Sequence, residues 1–127
     1  MDILMRYGFS IEEIKNMMDA NDELENVPDN NILEIINILI SIGCHEEHIM
    51  NIFNCNPFIL NRNTSEIKKL INKLKELELK HLYMIFDSNP HMLNMNANDI
   101  DKIYNDKITE GLDKEDIIDY FYHNIIL

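Results

Sequence analysis

Two nine-residue stretches of this sequence match each other at one fixed spacing, and that match constrains the fold more than any other feature. Residues 53–61 read F-N-C-N-P-F-I-L-N, and residues 86–94 read F-D-S-N-P-H-M-L-N. Phe, Asn, Pro, Leu and Asn each recur 33 residues further on. A single Asn-Pro would indicate only a turn, whereas five matched positions at one offset indicate an internal repeat.

Glycine and proline mark where the helices of the repeat end. Gly43 follows Gly8 by 35 residues, and Gly111 follows Gly43 by 68, which is close to one and then two periods. Glycine adopts the left-handed conformation just past a helix without strain. Pro57 cannot continue a helix and biases Asn56 away from helical geometry, so a tight 3₁₀ turn is expected after it.

Capping residues and apolar spacing predict the helices. Ser10 with Glu13 forms a capping box, which places a helix at 11–20 with Ile11, Ile14, Met17 and Met18 on one face. The apolar run 32–42 could be a strand, but its polar residues form a helical stripe that favours a buried helix. The remaining helices are expected at 45–54, 64–77, 80–88 and 98–109, and from the Asp113 cap to about Asn124, with 21–31 as a loop and a 3₁₀ turn at 57–60.

These elements predict an all-α fold, a right-handed α-solenoid of about four stacked repeats of 33–35 residues. Each repeat contains a long helix, a short helix and a Pro-terminated 3₁₀ turn, and the terminal repeats are degenerate. Phe53, Phe86 and Phe121 are expected at equivalent core positions. The chain of 127 residues is expected to form a single helical-repeat domain over residues 1–127.

The repeat resembles that of the mitochondrial transcription termination factor (mTERF) family. The corresponding residues are Gly43-Cys44 at the turn, 49–53 in the short helix and 57–60 after the proline, with 82–86 and 90–93 in the next copy. Tetratricopeptide repeats share the period but need a Gly inside the first helix and small residues that this chain lacks. The resemblance implies the family's repeated three-helix solenoid, and every matching position is structural.

The charge balance limits the classes of partner. The formal net charge is −12, divided as −8 over residues 1–63 and −4 over residues 64–127. Such a field repels nucleic acid and anionic membranes and favours basic partners. No apolar run reaches the roughly 18 residues that a membrane span needs. Cys44 and Cys55 are expected to be reduced, small core residues, which fits a cytoplasmic protein.

No catalytic, cofactor or metal site is expected. The densest cluster of metal-capable side chains is Cys44-His45-Glu46-Glu47-His48, but its histidines are three residues apart, not four as in the His-Glu-x-x-His motif. A polar first helical turn, with His45 as its N-cap, explains the cluster better than metal binding. Most paired carboxylates also fall in first helical turns, where they complement the helix dipole.

One local group of lysines departs from the acidic character of the chain. It consists of Lys68, Lys69, Lys73, Lys75 and Lys80. The ordinary interpretation is the solvated face of a long helix, partly neutralised by Glu66 and Glu76. The alternative is a patch that contacts nucleic-acid phosphates.

The sequence therefore favours a small acidic non-enzymatic binding module. Its expected partner is a protein of unknown identity, in an interaction or regulatory scaffold role, because solenoids offer extended concave surfaces. Nucleic acid and membranes are not the expected partners, and the chain is expected to be a monomer or a weak homo-oligomer. The alternative is an mTERF-like nucleic-acid-binding protein that uses the five lysines.

Overall fold

The computed structural model describes residues 2–123, which are helical throughout apart from their connections. The α-helices are α1 (Asp2–Tyr7), α2 (Ile11–Ala20), α3 (Asp29–Ser41), α4 (Glu46–Cys55), α5 (Thr64–Glu76), α6 (Leu82–Ser88), α7 (Ala97–Thr109) and α8 (Lys114–His123). Short 3₁₀ helices span Leu24–Asn26, Pro57–Asn61 and Pro90–Asn94. The all-α helical-repeat prediction is confirmed.

Equivalent helices of successive repeats pack side by side in three layers. The first layer contains α1, α3, α5 and α7, and the second layer contains α2, α4, α6 and α8. The three 3₁₀ helices pack on one another in the same order and form the third layer. Each repeat therefore contacts its neighbours in sequence, which is the arrangement of a helical-repeat solenoid.

Local sequence signals fix most helix ends. The Ser10 hydroxyl accepts from the Glu13 N–H at 3.0 Å, and the Glu13 carboxylate accepts from the Ser10 N–H at 2.9 Å. The same reciprocal cap joins Asn96 and Asp99 at the start of α7. Gly43, with φ +102°, also lies close to the Tyr83 ring, whose nearest atom would be 3.0 Å from an added Cβ. An added Cβ would press on the Tyr83 ring, and the positive φ would strain any non-glycine residue at this turn.

The repeated phenylalanines lie in the core. Phe53 and Phe86 are fully buried, and Phe121 is 3 % exposed. The Phe9 ring of the first repeat stacks on Phe53, with 5.9 Å between the ring centroids. The prediction that Phe53, Phe86 and Phe121 occupy equivalent core positions is confirmed.

Several predicted helix limits are wrong. Residues 21–31 are not simply a loop, because they include a 3₁₀ helix and the first turn of α3, which starts after Pro28. Proline has no backbone N–H to donate, but its fixed φ suits the start of a helix. The short helix expected from Lys80 begins at Leu82, since His81 adopts left-handed backbone geometry at φ +54°. The predicted end near Asn124 lies outside the described residues.

Two residues expected on an apolar face or in the core are exposed. Ile11, expected on one face with Ile14, Met17 and Met18, is 73 % exposed in the first turn of α2. Cys55 is exposed at the last position of α4, where the next repeat has the exposed Ser88. Cys44 is buried as expected, and its burial raises the pKa of its thiol to about 12. Both cysteines are free thiols.

Candidate interaction surfaces

A set of buried asparagines joins successive repeats. The Asn56 amide, which is fully buried, donates to the Pro90 carbonyl and to the Asn94 Oδ1 atom of the next repeat, both at 3.0 Å. Asn21 makes the equivalent bonds one repeat earlier, to the Pro57 carbonyl and Asn61 Oδ1, both at 3.1 Å. The Asn of the Asn-Pro pair is thus an inter-repeat link as well as a helix stop.

Other polar side chains reinforce this third layer. The Asn31 amide donates to the Leu60 carbonyl at 2.9 Å, and the Arg62 guanidinium donates to the equivalent Leu93 carbonyl. Burial lowers the pKa of Arg62. Arg62, one of only two arginines in the sequence, therefore has a structural role.

The predicted lysine patch is largely paired with carboxylates. Lys68 Nζ lies 3.0 Å from Glu34 Oε1 on the neighbouring α3, and this contact lowers the pKa of Glu34. Lys69 Nζ lies 3.4 Å from Glu66 Oε1 within α5. Glu66 pairs with Lys69, and the N-cap of α5 is Asn63, whose side chain accepts from the Ser65 N–H.

Lys73 joins two repeats. Its Nζ atom lies 3.1 Å from Asp101 Oδ1 on α7 and 3.1 Å from Glu76 Oε2 on α5, and these contacts, that with Asp101 foremost, raise the pKa of Lys73. Lys75 is exposed on α5, and Lys80 lies before α6 on the connecting segment. The structure thus brings four of the five lysines onto one helix but places Lys80 off it.

A small groove between α3 and α5 includes two of these lysines. Its volume is 210 Å³, and it is lined by Ile38, Ser41, Lys68, Ile71, Asn72 and Lys75. Glu34 reaches Lys68 across the same pair of helices. A phosphate bound in this groove would have to compete with the Glu34 carboxylate for Lys68.

Charge is unevenly divided between the two α-helical layers. The second layer carries nine acidic and two basic residues, a net charge of −7. The first layer carries eight acidic and seven basic residues, a net charge of −1. Seven of the nine acidic side chains of the second layer are exposed. The second layer therefore presents the strongly acidic surface of the described residues.

The histidine cluster forms a helix cap. The His45 N–H donates to His48 Nδ1 at 2.8 Å, and the His48 ring packs against Tyr83 with 5.2 Å between centroids. His45 is the N-cap residue of α4, as predicted. Among the described residues, no group of three or more His, Cys, Asp or Glu side chains is arranged to hold a metal ion.

A wider polar groove lies beside the third layer. It has a volume of 640 Å³ and is lined by Glu23, Asn26, Val27, Pro28, Asn31, Asn61, Arg62, Asn63 and Thr64. Asn31, Asn61 and Arg62 already bond to other parts of the chain. Three of the nine lining side chains therefore already hold the 3₁₀ layer together within and between repeats.

None of the helices between residues 2 and 123 has the length and apolarity of a membrane span. Searches of curated proteins and of solved structures found no match. A scan against protein-family models matched residues 2–123 to mTERF. This match covers the glycine turns, the Asn-Pro stops and the three helical layers described above. The chain therefore belongs to the mTERF family.

Proposed function

We propose that this chain, as one domain over residues 1–127, is a non-enzymatic cytoplasmic module that binds a basic protein partner through its second layer. The observation that carries the proposal is the division of charge, −7 on the second layer against −1 on the first. A concentrated field of one sign steers and selects partners of the opposite sign. The elongated row of helices supplies the extended surface.

Three equivalent acidic side chains offer a direct test. Glu12, Glu47 and Glu115 occupy the same position of the repeat on α2, α4 and α8, and all three are exposed. Changing all three to Gln removes part of the acidic surface without disturbing the core. A matched control changes Asp22, Glu25 and Asp106, which are exposed elsewhere, to Asn or Gln.

The tagged full chain is used to capture partners from native lysate, with and without nuclease, and bound proteins are identified by mass spectrometry. We expect nuclease to leave the captured proteins unchanged, and the Glu12, Glu47 and Glu115 triple variant to reduce their recovery several-fold. The control variant should retain them. Loss of all bound material on nuclease treatment, or equal recovery with both variants, would contradict the proposal.

Family membership favours a second candidate, the binding of duplex nucleic acid. Its contacts would come from Lys68, Lys69, Lys73, Lys75 and Lys80. We rank it second because three of these side chains already pair with carboxylates. Phosphate would have to displace those partners within a chain of net charge −12.

A further inference from the structure

The cap of α4 depends on an imidazole where other caps of this chain use a carboxylate. In the capping boxes of α2 and α7, the carboxylates of Glu13 and Asp99 accept from the N–H of the N-cap residue, each at 2.9 Å. On α4 the same position is occupied by His48, whose Nδ1 atom accepts from the His45 N–H at 2.8 Å. Among the reciprocal caps of residues 2–123, the cap of α4 is therefore the one that requires a ring nitrogen.

This acceptor role fixes the protonation state of the His48 ring. Only a ring nitrogen without a proton accepts a hydrogen bond, so the neutral ring carries its proton on Nε2. A charged ring has protons on both nitrogens, and its Nδ1–H would then point at the His45 N–H. Histidine gains its charge between pH 8 and pH 5, whereas a carboxylate keeps its charge and its acceptor role over that interval.

The charged ring has a partner of its own. The His48 Nε2 atom lies 3.9 Å from Oε1 of Glu47, whose side chain is exposed and free to move closer. The N-terminus of α4 is the positive end of the helix dipole, so it disfavours a cation at the cap. The ring thus has one partner in each protonation state, the His45 N–H when it is neutral and the Glu47 carboxylate when it is charged.

Other titratable groups also surround the His48 ring. The His45 ring lies 5.5 Å from it and the Tyr83 ring of α6 lies 5.2 Å from it, measured between centroids. His81 contacts Tyr83 edge-on at 6.2 Å. The Glu46 carboxylate is directed instead at the turn between α1 and α2. Because His45 and His81 can also gain a charge, the response of His48 has to be separated from theirs by substitution.

The His48 ring also supports a contact between the second and third repeats. Tyr83 of α6 packs against His48 and against the turn at Gly43, where its nearest atom would lie 3.0 Å from an added Cβ. The helices α4 and α6 are neighbours in the second layer. A His48 ring that turned away from the cap would therefore remove part of the packing of Tyr83 between these two helices.

We propose that the start of α4 is an acid-sensitive switch, in which protonation of His48 exchanges its bond with the His45 N–H for an ion pair with Glu47. At pH 8 the cap is closed and Tyr83 packs against the neutral ring. As the pH falls toward 5, the ring gains its charge, the first turn of α4 loses its reciprocal cap, and Tyr83 loses this contact. The switch is independent of what the second layer binds.

Nuclear magnetic resonance of the full chain between pH 8 and pH 5 tests this switch. The ¹⁵N shifts of the ring nitrogens identify the tautomer, and we expect the His48 proton on Nε2 at pH 8. Exchange of the His45 amide proton with water, corrected for the intrinsic effect of pH, reports on the cap. We expect its protection to fall about fivefold at pH 5, the effect of one lost cap, and the Tyr83 ring protons to shift with it.

Substitutions assign the response to one histidine. His48→Gln keeps an acceptor at every pH, as glutamine does in the common capping box, and should leave the His45 amide protected at pH 5. His48→Ala should leave that amide unprotected at both pH values. His81→Gln should retain the response, and so should His45→Asn, which keeps the backbone N–H that His48 accepts from.

Several outcomes would overturn the proposal. One is a His48 ring with its proton on Nδ1 at pH 8. Another is a loss of protection at position 45 that is equal in His48→Gln and the parent chain, or that disappears in His81→Gln or His45→Asn. Protection that His48→Ala does not reduce would show that the ring is not the cap. Loss of protection in all helices at pH 5 would indicate general acid unfolding instead of a local switch.

Discussion

Replacing Phe86 by alanine is expected to lower the free energy of unfolding by about 3–5 kcal/mol. Phe86 is fully buried and stands at the position that Phe53 and Phe121 occupy in other repeats. Its removal leaves a cavity at the contact between repeats, which the packed helices fill only in part. Urea unfolding followed by circular dichroism measures the loss.

Phe58 provides the matched control for this substitution. It is also a phenylalanine of the 53–61 stretch, but it is not a matched position of the repeat and is 51 % exposed on the second 3₁₀ helix. Phe58→Ala should change the free energy of unfolding by about 1 kcal/mol or less, because exposed substitutions away from special features have small effects. Equal losses for the two variants would show that the Phe86 position is not part of a shared core.

Replacing Asn56 by alanine is expected to lower the free energy of unfolding by about 2–4 kcal/mol. The amide bonds two groups of the next repeat, the Pro90 carbonyl and the Asn94 side chain. Without it, a buried carbonyl loses its partner and the link between adjacent 3₁₀ helices is lost. An unsatisfied buried acceptor is penalised more heavily than an exposed one.

Asn54 is the control for Asn56. Its amide also crosses between repeats, to Glu13, but this bond lies at the surface. Asn54→Ala should lower the free energy of unfolding by about 1 kcal/mol or less, since water replaces an exposed bond. If urea unfolding gives the two variants the same stability, the buried asparagine does not link the repeats as described.

The repeat architecture could be predicted because its signals are local. Ser10 with Glu13 and the Asn56-Pro57 stop each act over a few residues. The recurrence of the Asn-Pro stretch at a fixed offset then predicted the stacked repeats. The matched phenylalanines identified the core for the same reason, because equivalent positions of a repeat have equivalent surroundings.

The polar contacts between repeats could not be predicted from local spacing. Asn56 and Pro90 are 34 residues apart, and Lys68 and Glu34 are also 34 apart, so both pairs form only once the helices stack. For the asparagine contacts, the available signal was the recurrence of Asn56 and Asn61 at Asn89 and Asn94, 33 residues further on. Ile11 followed the helical period of buried residues, yet it is 73 % exposed.

The lysine group illustrates the same limit. Counting charges along residues 64–86 indicates a net positive segment, whereas folding places carboxylates from α3 and α7 beside it. Glu34 and Asp101 belong to other repeats and are invisible to a local count. Exposure and pairing of lysines depend on which helices become neighbours.

The central claim is that this acidic repeat chain binds protein and not nucleic acid. Titration with random duplex DNA at physiological salt tests it most directly. We predict no measurable gel shift, because the net charge of −12 repels the duplex and the lysines are paired. If all five lysines contacted phosphate, the log–log salt slope would be about −4 to −5. Submicromolar binding at about 150 mM salt that Lys69→Glu and Lys73→Glu together abolish, with folding intact by circular dichroism, would contradict the account.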